Sequence, residues 1–413
     1  MMKNNIIFLT NFDLSNDKSA AYARILQYAK GLTYQRSDVF VYLMSIKYFD
    51  ASLLRAIIPN FVYISVPKSV SRETPYSKYC KYQNRLSNLK KIISFFERED
   101  CNTTYIVYPF LNTWYEEKKC IKLIKQHGCR IFSERNERAF WLILNRQYSV
   151  SLWKKILLFS IYPLELFNGY MLDRMVKYYD GNIVISKNFE KWIKRINENY
   201  IRIPVLSEPI DPDPIDLESA DPVFKIAYTG TLSYNKDGID ILIKAMYYLV
   251  NICGIDNVLL NLYGHASSYT LKSIQQLINK YDLERFVFLR ERVGKGEISI
   301  IQKKHDCLIV VRKRNHQNKF NFSTKLAEYM YAASLVIATD ISDNVHYVKH
   351  GVNAFISDPD EISIANTILY CMKLPLNEKM DIRRSAYETA VEYFNIYNYS
   401  GLMQQFILQN EER

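Results

Sequence analysis

Residues 207–222 read SEPIDPDPIDLESADP, four prolines and six acidic residues in sixteen positions. Proline lacks an amide hydrogen and its ring collides with the preceding turn, so this stretch sustains neither a helix nor a central strand. It is read as a linker, and it cuts the chain into two halves that repeat one rhythm. In the first, 5–10 is a short apolar strand. An Asp/Asn/Ser loop follows, then a helix over about 19–32 along which Tyr22, Ile25, Leu26, Ala29 and Leu32 recur at helical spacing. Residues 39–44, 61–66, 105–108 and 130–133 are further strands, and 118–126 is a helix stopped by Gly128. After the linker, strands at 224–229, 258–263, 286–289, 306–311, 335–339 and 354–356 alternate with helices at 238–250, 269–280 and from Thr324 onward.

Such alternation builds parallel sheets with helices on both faces. The expected architecture is α/β: two doubly wound, Rossmann-like domains, 1–206 and 223–386, facing a central cleft at the carboxyl edges of their sheets. A helical segment of about 387–413 is expected to return to the first domain. Two domains also suit a chain of 413 residues with 48% hydrophobic content, which exceeds one ordinary core.

Several classes are disfavoured. The best apolar run, 156–164, has nine uncharged residues, against roughly 20 needed to span a bilayer. MMKNNIIFLTNFD lacks a signal peptide's apolar core and cleavage site, so its IIFL is read as the first strand. Seven scattered cysteines form no CxxC pair and no Cys/His cluster, which suits a reducing cytoplasm and no structural metal. The protein is expected to be soluble in the cytoplasm, with the inner face of the membrane as the alternative address. A net charge of +11 implies an anionic partner without identifying it. Nucleic acid is disfavoured, because the basic residues of KKHDCLIVVRKRNHQNK flank a buried strand instead of lining a face with exposed aromatics.

Three loops of the second half should converge at one sheet edge. In FNFSTKLAEYMYAASLVIATD, Ser323 and Thr324 are good N-cap residues, and Lys325 and Glu328 fall on one helix face. The helix start is a natural anion site to which Lys325 adds a full charge, and Glu328 can accept hydrogen bonds from a ribose. On this motif alone, a capped surface helix with a Lys–Glu pair fits equally well. In IAYTGTLSYNKDGIDILIKAM, Gly230 permits close backbone approach and Lys236 can reach a phosphate, although a lysine at an ordinary strand-to-helix turn fits too. In VVRKRNHQ, Arg312 follows a buried strand and suits a bidentate phosphate contact, with Lys313 and Arg314 facing solvent.

These segments resemble the retaining glycosyltransferases of family 4. YTGTLSYNKDGIDILIKA is similar to the opening of that family's donor domain, and FNFSTKLAEYMYAASLVIATD to its Phe-Pro-Ser-Lys-Leu-x-Glu-Tyr-Met segment and following strand. HYVKHGVNAFISDPDEISIA is similar to the stretch after that. In the first half, SAAYARILQYAKGL and YYDGNIVISKNFEKWI resemble the first helix and closing segment of the acceptor domain. The resemblance implies the GT-B fold, a UDP- or GDP-sugar donor, retention at the anomeric carbon, no cofactor and no metal. It puts Lys236 and Lys325 near the diphosphate, Thr324 at the helix start, Glu328 at the ribose, and Arg290 and Glu291 at the base pocket. The sequence departs from the pattern at three positions: Thr231 replaces the Arg after the loop glycine, Phe320 the first Glu of a paired-Glu motif, and Ser323 that motif's Pro. Arg312 is the candidate substitute for the missing Arg.

On the acceptor side, Asp13, Asp17 and Lys18 follow the first strand, and Glu134, Arg135, Asn136 and Glu137 follow another. Asp17 and Glu134 are the catalytic candidates, although polar loops of this kind are more often plain surface. His127, beside a helix-ending glycine, is read as structural. LWKKILLFSIYPLELFNGYMLDRMVK, 152–177, suits either an anionic bilayer surface or a helix pair packed on the first domain, the latter favoured. The implied activity is sugar transfer to a glycan or lipid-linked acceptor in bacterial surface polysaccharide synthesis. A GT-B epimerase or a non-catalytic sugar-nucleotide binder is the alternative.

Overall fold

The computed structural model describes residues 3–11, 20–64, 78–97, 101–145, 152–208 and 223–408. They fall into two compact units. One runs to Pro204 and takes up the chain again at Ile396, and the other is built mainly from Val205–Asn395.

The first unit holds an eight-stranded sheet: β1 (Lys3–Thr10), β2 (Val39–Ser45), β3 (Leu54–Ile58), β4 (Phe61–Ile64), β5 (Cys101–Val107), β6 (Arg130–Arg135), β7 (Gly181–Val184) and β8 (Tyr200–Arg202). Their order is β3-β4-β2-β1-β5-β6-β7-β8. All pairings are parallel except β3–β4, and Ile6 stands between Val41 and Thr104. Ile6 to Leu9 are wholly buried, as a central parallel strand covered on both faces requires. The helix Ala20–Thr33 buries Ile25, Tyr28, Ala29 and Leu32 against it. The helix Trp114–Gln126 starts earlier than its periodicity suggested. Thr113 caps it by accepting from the Glu116 amide, and Gly128 at φ +71° follows its end. The antiparallel β3 was not foreseen, because LRAII at a sheet edge carries too short a pattern to separate from loop.

Residues 152–177 form one helix, Leu152–Arg174, with Pro163 inside it, followed by a single 3-10 turn, Met175–Tyr178. This corrects the expected helix pair: the continuous apolar content lets one helix run through the proline. The side chains of 152–161 lie outside the described residues.

The second unit holds β9 (Phe224–Thr231), β10 (Val258–His265), β11 (Val287–Arg290), β12 (Cys307–Val310), β13 (Leu335–Thr339) and β14 (Phe355–Ser357). They are all parallel, in the order β11-β10-β9-β12-β13-β14. The strand order turns back between β9 and β12, the position where open α/β sheets bind ligands at their carboxyl ends. Here the two strands pair only through Ile226 and Ala227. Beyond that they part, and the Thr229 amide donates to the Tyr329 hydroxyl instead, at 2.8 Å. The helix Leu376–Tyr393 stays in the second unit. From Ile396 the chain rejoins the first, where the helix Ser400–Leu408 buries Met403 and Ile407. Gln404 Nε2 there donates to the carbonyls of Gly31, Leu32 and Tyr34, satisfying groups at the end of the Ala20–Thr33 helix. Residues 209–222, most of the expected linker, lie outside the described residues.

Candidate functional site

The carboxyl edge of the second sheet is unusually bare at its centre. Gly230 and Gly264 face each other in register at the ends of β9 and β10. Gly230 has φ +138°, and a Cβ there would lie 2.5 Å from Lys325 Cε. A Cβ at Gly264 would overlap the Gly230 carbonyl oxygen. Gly230 was foreseen; Gly264 was missed, although a glycine closing the strand-like VLLNLYG was the signal to notice.

Across this bare edge lies the helix Thr324–Tyr331, pinned to β9 because Tyr329 OH also accepts from Thr229 Oγ1, at 3.1 Å. Leu326, Ala327, Tyr329, Met330 and Tyr331 are buried, so Thr324, Lys325 and Glu328 make up its partly open face. Ser323 occupies the N-cap position but makes no side-chain capping bond, and its Oγ is buried with no partner among the described residues. The expected cap is therefore geometric only, and the hydroxyl remains unspent.

Lys325 Nζ lies 3.2 Å from Asp237 Oδ1 and 5.1 Å from the centre of the Tyr228 ring. Arg312 Nε is 3.8 Å from the same carboxylate oxygen and has no hydrogen bond of its own. Arg312 is 7% exposed, and its Nη1 donates to Asn318 Oδ1 at 3.0 Å. Asn318 Nδ2 in turn donates to the carbonyls of Lys236 and Lys313, each at 2.9 Å, and so ties the Lys236 loop to the Arg312 loop. A buried guanidinium and a partly buried ammonium thus turn to one buried carboxylate. Burial opposes ionisation of Asp237, but Lys325, Arg312 and Lys236 outweigh it and hold its carboxyl below the ordinary range. Burial, helped by Arg312, pushes the Lys325 ammonium below its usual value, and Asp237 restores only part of that. Asp237 and Asn318 were missed by sequence reasoning. Two cations predicted at one edge were themselves the signal, because buried charge requires a counter-charge.

The remaining candidates are placed differently. Arg290 is exposed at the end of β11, two strands from β9, where its Nε donates to Asn261 Oδ1 at 2.9 Å; Glu291 beside it is also exposed. Lys236 is half-buried in the loop before Asp237. Lys313 pairs with Asp240 at 2.7 Å, and Arg314, 57% exposed in its side chain, pairs with Asp340 and Asp358. Asp13, Asp17 and Lys18 lie outside the described residues.

In the first unit, Glu134 is wholly buried at the carboxyl end of β6. Its Oε1 accepts from Arg24 Nε at 2.7 Å and from Tyr28 OH at 3.2 Å, and its Oε2 has no partner among the described residues. Burial raises its carboxyl above the ordinary value, with Arg24 offsetting part of the rise. Arg24 also donates to the carbonyls of Ile203 and Pro204. Arg135 pairs with Glu117, whose Oε1 also accepts from Tyr179 OH at 2.8 Å. Asn136 Nδ2 donates to Tyr108 OH at 3.0 Å, and Glu137 is half-buried. His127 caps a helix end and pairs with Glu97.

Residues 223–373, which contain the whole cation cluster, match the glycosyl transferases group 1 family. No curated protein sequence matches the chain significantly. Among solved structures, sucrose-phosphate synthase from Thermosynechococcus elongatus is similar with a TM-score of 0.71 at 14% identity, covering 98% of each chain. Anabaena HepE in complex with UDP and glucose gives 0.68 at 16% identity, covering 98% of this chain and 99% of that one. A glycosyltransferase from Rickettsia africae gives 0.66 at 15%, covering 99% and 100%. At such identities the likeness establishes the fold, which is GT-B.

Proposed function

We propose that this chain, whose residues 223–373 match the group 1 glycosyltransferase family, moves a sugar from a nucleotide-diphospho-sugar to a glycan or lipid-linked acceptor with retention at the anomeric carbon. One observation carries this reading: Lys325 and Arg312 share the single carboxylate of Asp237, at the start of a helix whose N-cap hydroxyl is unspent. A diphosphate supplies the negative charge that such an arrangement lacks, and the helix dipole adds to its attraction.

Each residue then has a role. Lys325, Arg312 and Lys236 receive the diphosphate, with the Ser323 and Thr324 hydroxyls and the first helical amides as donors. Gly230 and Gly264 let the donor approach the strand ends closely. Glu328, one turn along the same open face, accepts from the ribose hydroxyls, while Arg290 and Glu291 border the base. As the bond to the sugar breaks, negative charge grows on the leaving diphosphate. Cations already fixed in place stabilise that charge without reorganising. Transfer therefore persists in EDTA. UDP is the first nucleotide to test, since a structural neighbour was solved with it. The biological setting that fits is assembly of a bacterial surface polysaccharide.

The deciding experiment is transfer and hydrolysis measured against a panel of UDP- and GDP-sugars, with and without EDTA. Turnover of one donor with an α- or β-configured product matching the donor supports the proposal. Binding without turnover of any donor would leave a sugar-nucleotide binder, and epimerised donor would identify an epimerase.

A further inference from the structure

The helix Leu152–Arg174 carries an unusual outer face. Leu164 is 69% exposed, Phe167 54% and Tyr170 46%, and with exposed Arg174 they recur at helical spacing along one stripe. The stripe continues through the 3-10 turn, where Lys177 and Tyr178 are exposed, to the neighbouring helix Trp114–Gln126. Lys118 Nζ of that helix lies 5.9 Å from the Tyr178 ring centre, and the Trp114 amide donates to Asn168 Oδ1 of the long helix at 3.0 Å. Tyr115, 46% exposed, extends the face toward the carboxyl end of β5, with Lys119 over its ring at 4.8 Å.

Charge on this face has one sign. Of the acidic residues of these elements, Glu116, Glu117 and Asp173 are buried and paired inward with Arg85, Arg135 and Arg138, and the half-buried Glu165 falls, by helical spacing, on the side of its helix away from Phe167, Tyr170 and Arg174. Lys118, Lys119, Lys122, Arg174 and Lys177 are left outward. Cations stacked beside exposed rings, with aliphatic side chains between, are the composition of a surface that enters a lipid headgroup layer. No helix among the described residues is long and apolar enough to cross a membrane.

We infer that this face, formed by the Leu164–Phe167–Tyr170 stripe and the Lys118–Lys177 cation rim, docks the first unit on an anionic lipid surface. Aromatic and aliphatic side chains enter the headgroup boundary, and the cations hold anionic headgroups around them. The face depends on nothing in the nucleotide site, and only the choice of a lipid-borne acceptor rests on the transfer reading.

The test is flotation of the full chain with vesicles of phosphatidylglycerol and phosphatidylcholine, against phosphatidylcholine alone, at low and high salt. Binding is expected only to the anionic vesicles and weakens with salt. Lys118→Glu with Lys177→Glu, or Leu164→Ser with Phe167→Ser, is expected to lower partitioning at least about tenfold. Circular dichroism melts of the same samples show that the variants are folded, and UDP titration reports on the nucleotide reading separately. Failure of the parent protein to float with anionic vesicles overturns the inference, as does undiminished flotation of both double variants. A concentration-dependent dimer abolished by Leu164→Ser with Phe167→Ser would assign the face to a second copy of the chain instead.

Discussion

The two units bury charge in opposite ways. In the first, Arg24, Arg135 and Arg138 each have a carboxylate of their own: Arg24 has Glu134, Arg135 has Glu117 and Arg138 has Asp173. In the second, Arg312 and Lys325 divide one carboxylate between them. A balanced pair returns part of its desolvation cost to the fold and asks nothing of a ligand. The cluster at Asp237, which also feels the charges of Lys236 and Glu328, holds more cationic than anionic side chains. Perturbed charge is common to both regions and does not distinguish them; the imbalance does.

The sharpest way to break this contrast is to remove one carboxylate from each region. Asp237→Asn and Glu134→Gln should each cost about 3–5 kcal/mol, because each leaves buried positive charge without its partner. Denaturant melts with and without UDP then separate them. Added UDP should restore more stability to Asp237→Asn than it gives the parent protein, while Glu134→Gln should gain only what the parent gains. Equal gains in the two variants would mean that the imbalance has nothing to do with nucleotide.

Lys325→Ala tests the same idea from the cation side. Calorimetric titration should show UDP or GDP binding weakened by about 1–3 kcal/mol, the range for a charge-assisted contact. Unchanged affinity would make Lys325 a structural partner of Asp237 and nothing more. Glu328→Gln keeps the shape and removes the charge one turn away. It is expected to raise the donor KM and to lower kcat/KM about 10–100-fold, or ~1.4–2.8 kcal/mol. Parent-like kinetics would confine the site to the diphosphate.

The smallest effect concerns pH. Burial lowers the Lys325 pKa below the ordinary 10.5, so between its folded value and 10.5 the unfolded chain holds more protons. The strain of keeping this ammonium charged is therefore present at neutral pH and is relieved as pH rises. Nucleotide, which needs the charge, should bind progressively less well over that alkaline window, and Lys325→Arg should flatten the decline. Affinity independent of pH in the parent protein would show that Lys325 does not hold the anion.

How much of this was legible in the sequence depended on distance along the chain. The strands at Phe224 and Leu335 and the helix from Thr324 announce themselves through local apolar pattern and caps, and the structure has them within a residue or two. Lys236, Gly230, Lys325 and Glu328 stand out as candidates in the sequence because each sits at a recognisable strand end or helix start. Asp237 was passed over because its partner Lys325 is 88 positions away, and Glu134 looked like an open loop residue because Arg24 is 110 positions away. Pairings of that kind are made by sheet order, which no local window contains. The unspent hydroxyl of Ser323 was equally hidden, since the residue type promises a cap and only the backbone geometry withholds it.

The return of the chain to the first unit at Ile396 has a consequence for synthesis. The second unit is completed from one nearly continuous stretch of chain, whereas the first must wait for Met403, Gln404 and Ile407 before the helix Ala20–Thr33 is covered and its last carbonyls are satisfied. Domains fold as units while the ribosome is still adding residues. The first unit therefore closes only after the chain of the second has been made, and its helix Ala20–Thr33 exposes apolar surface until Met403 and Ile407 arrive.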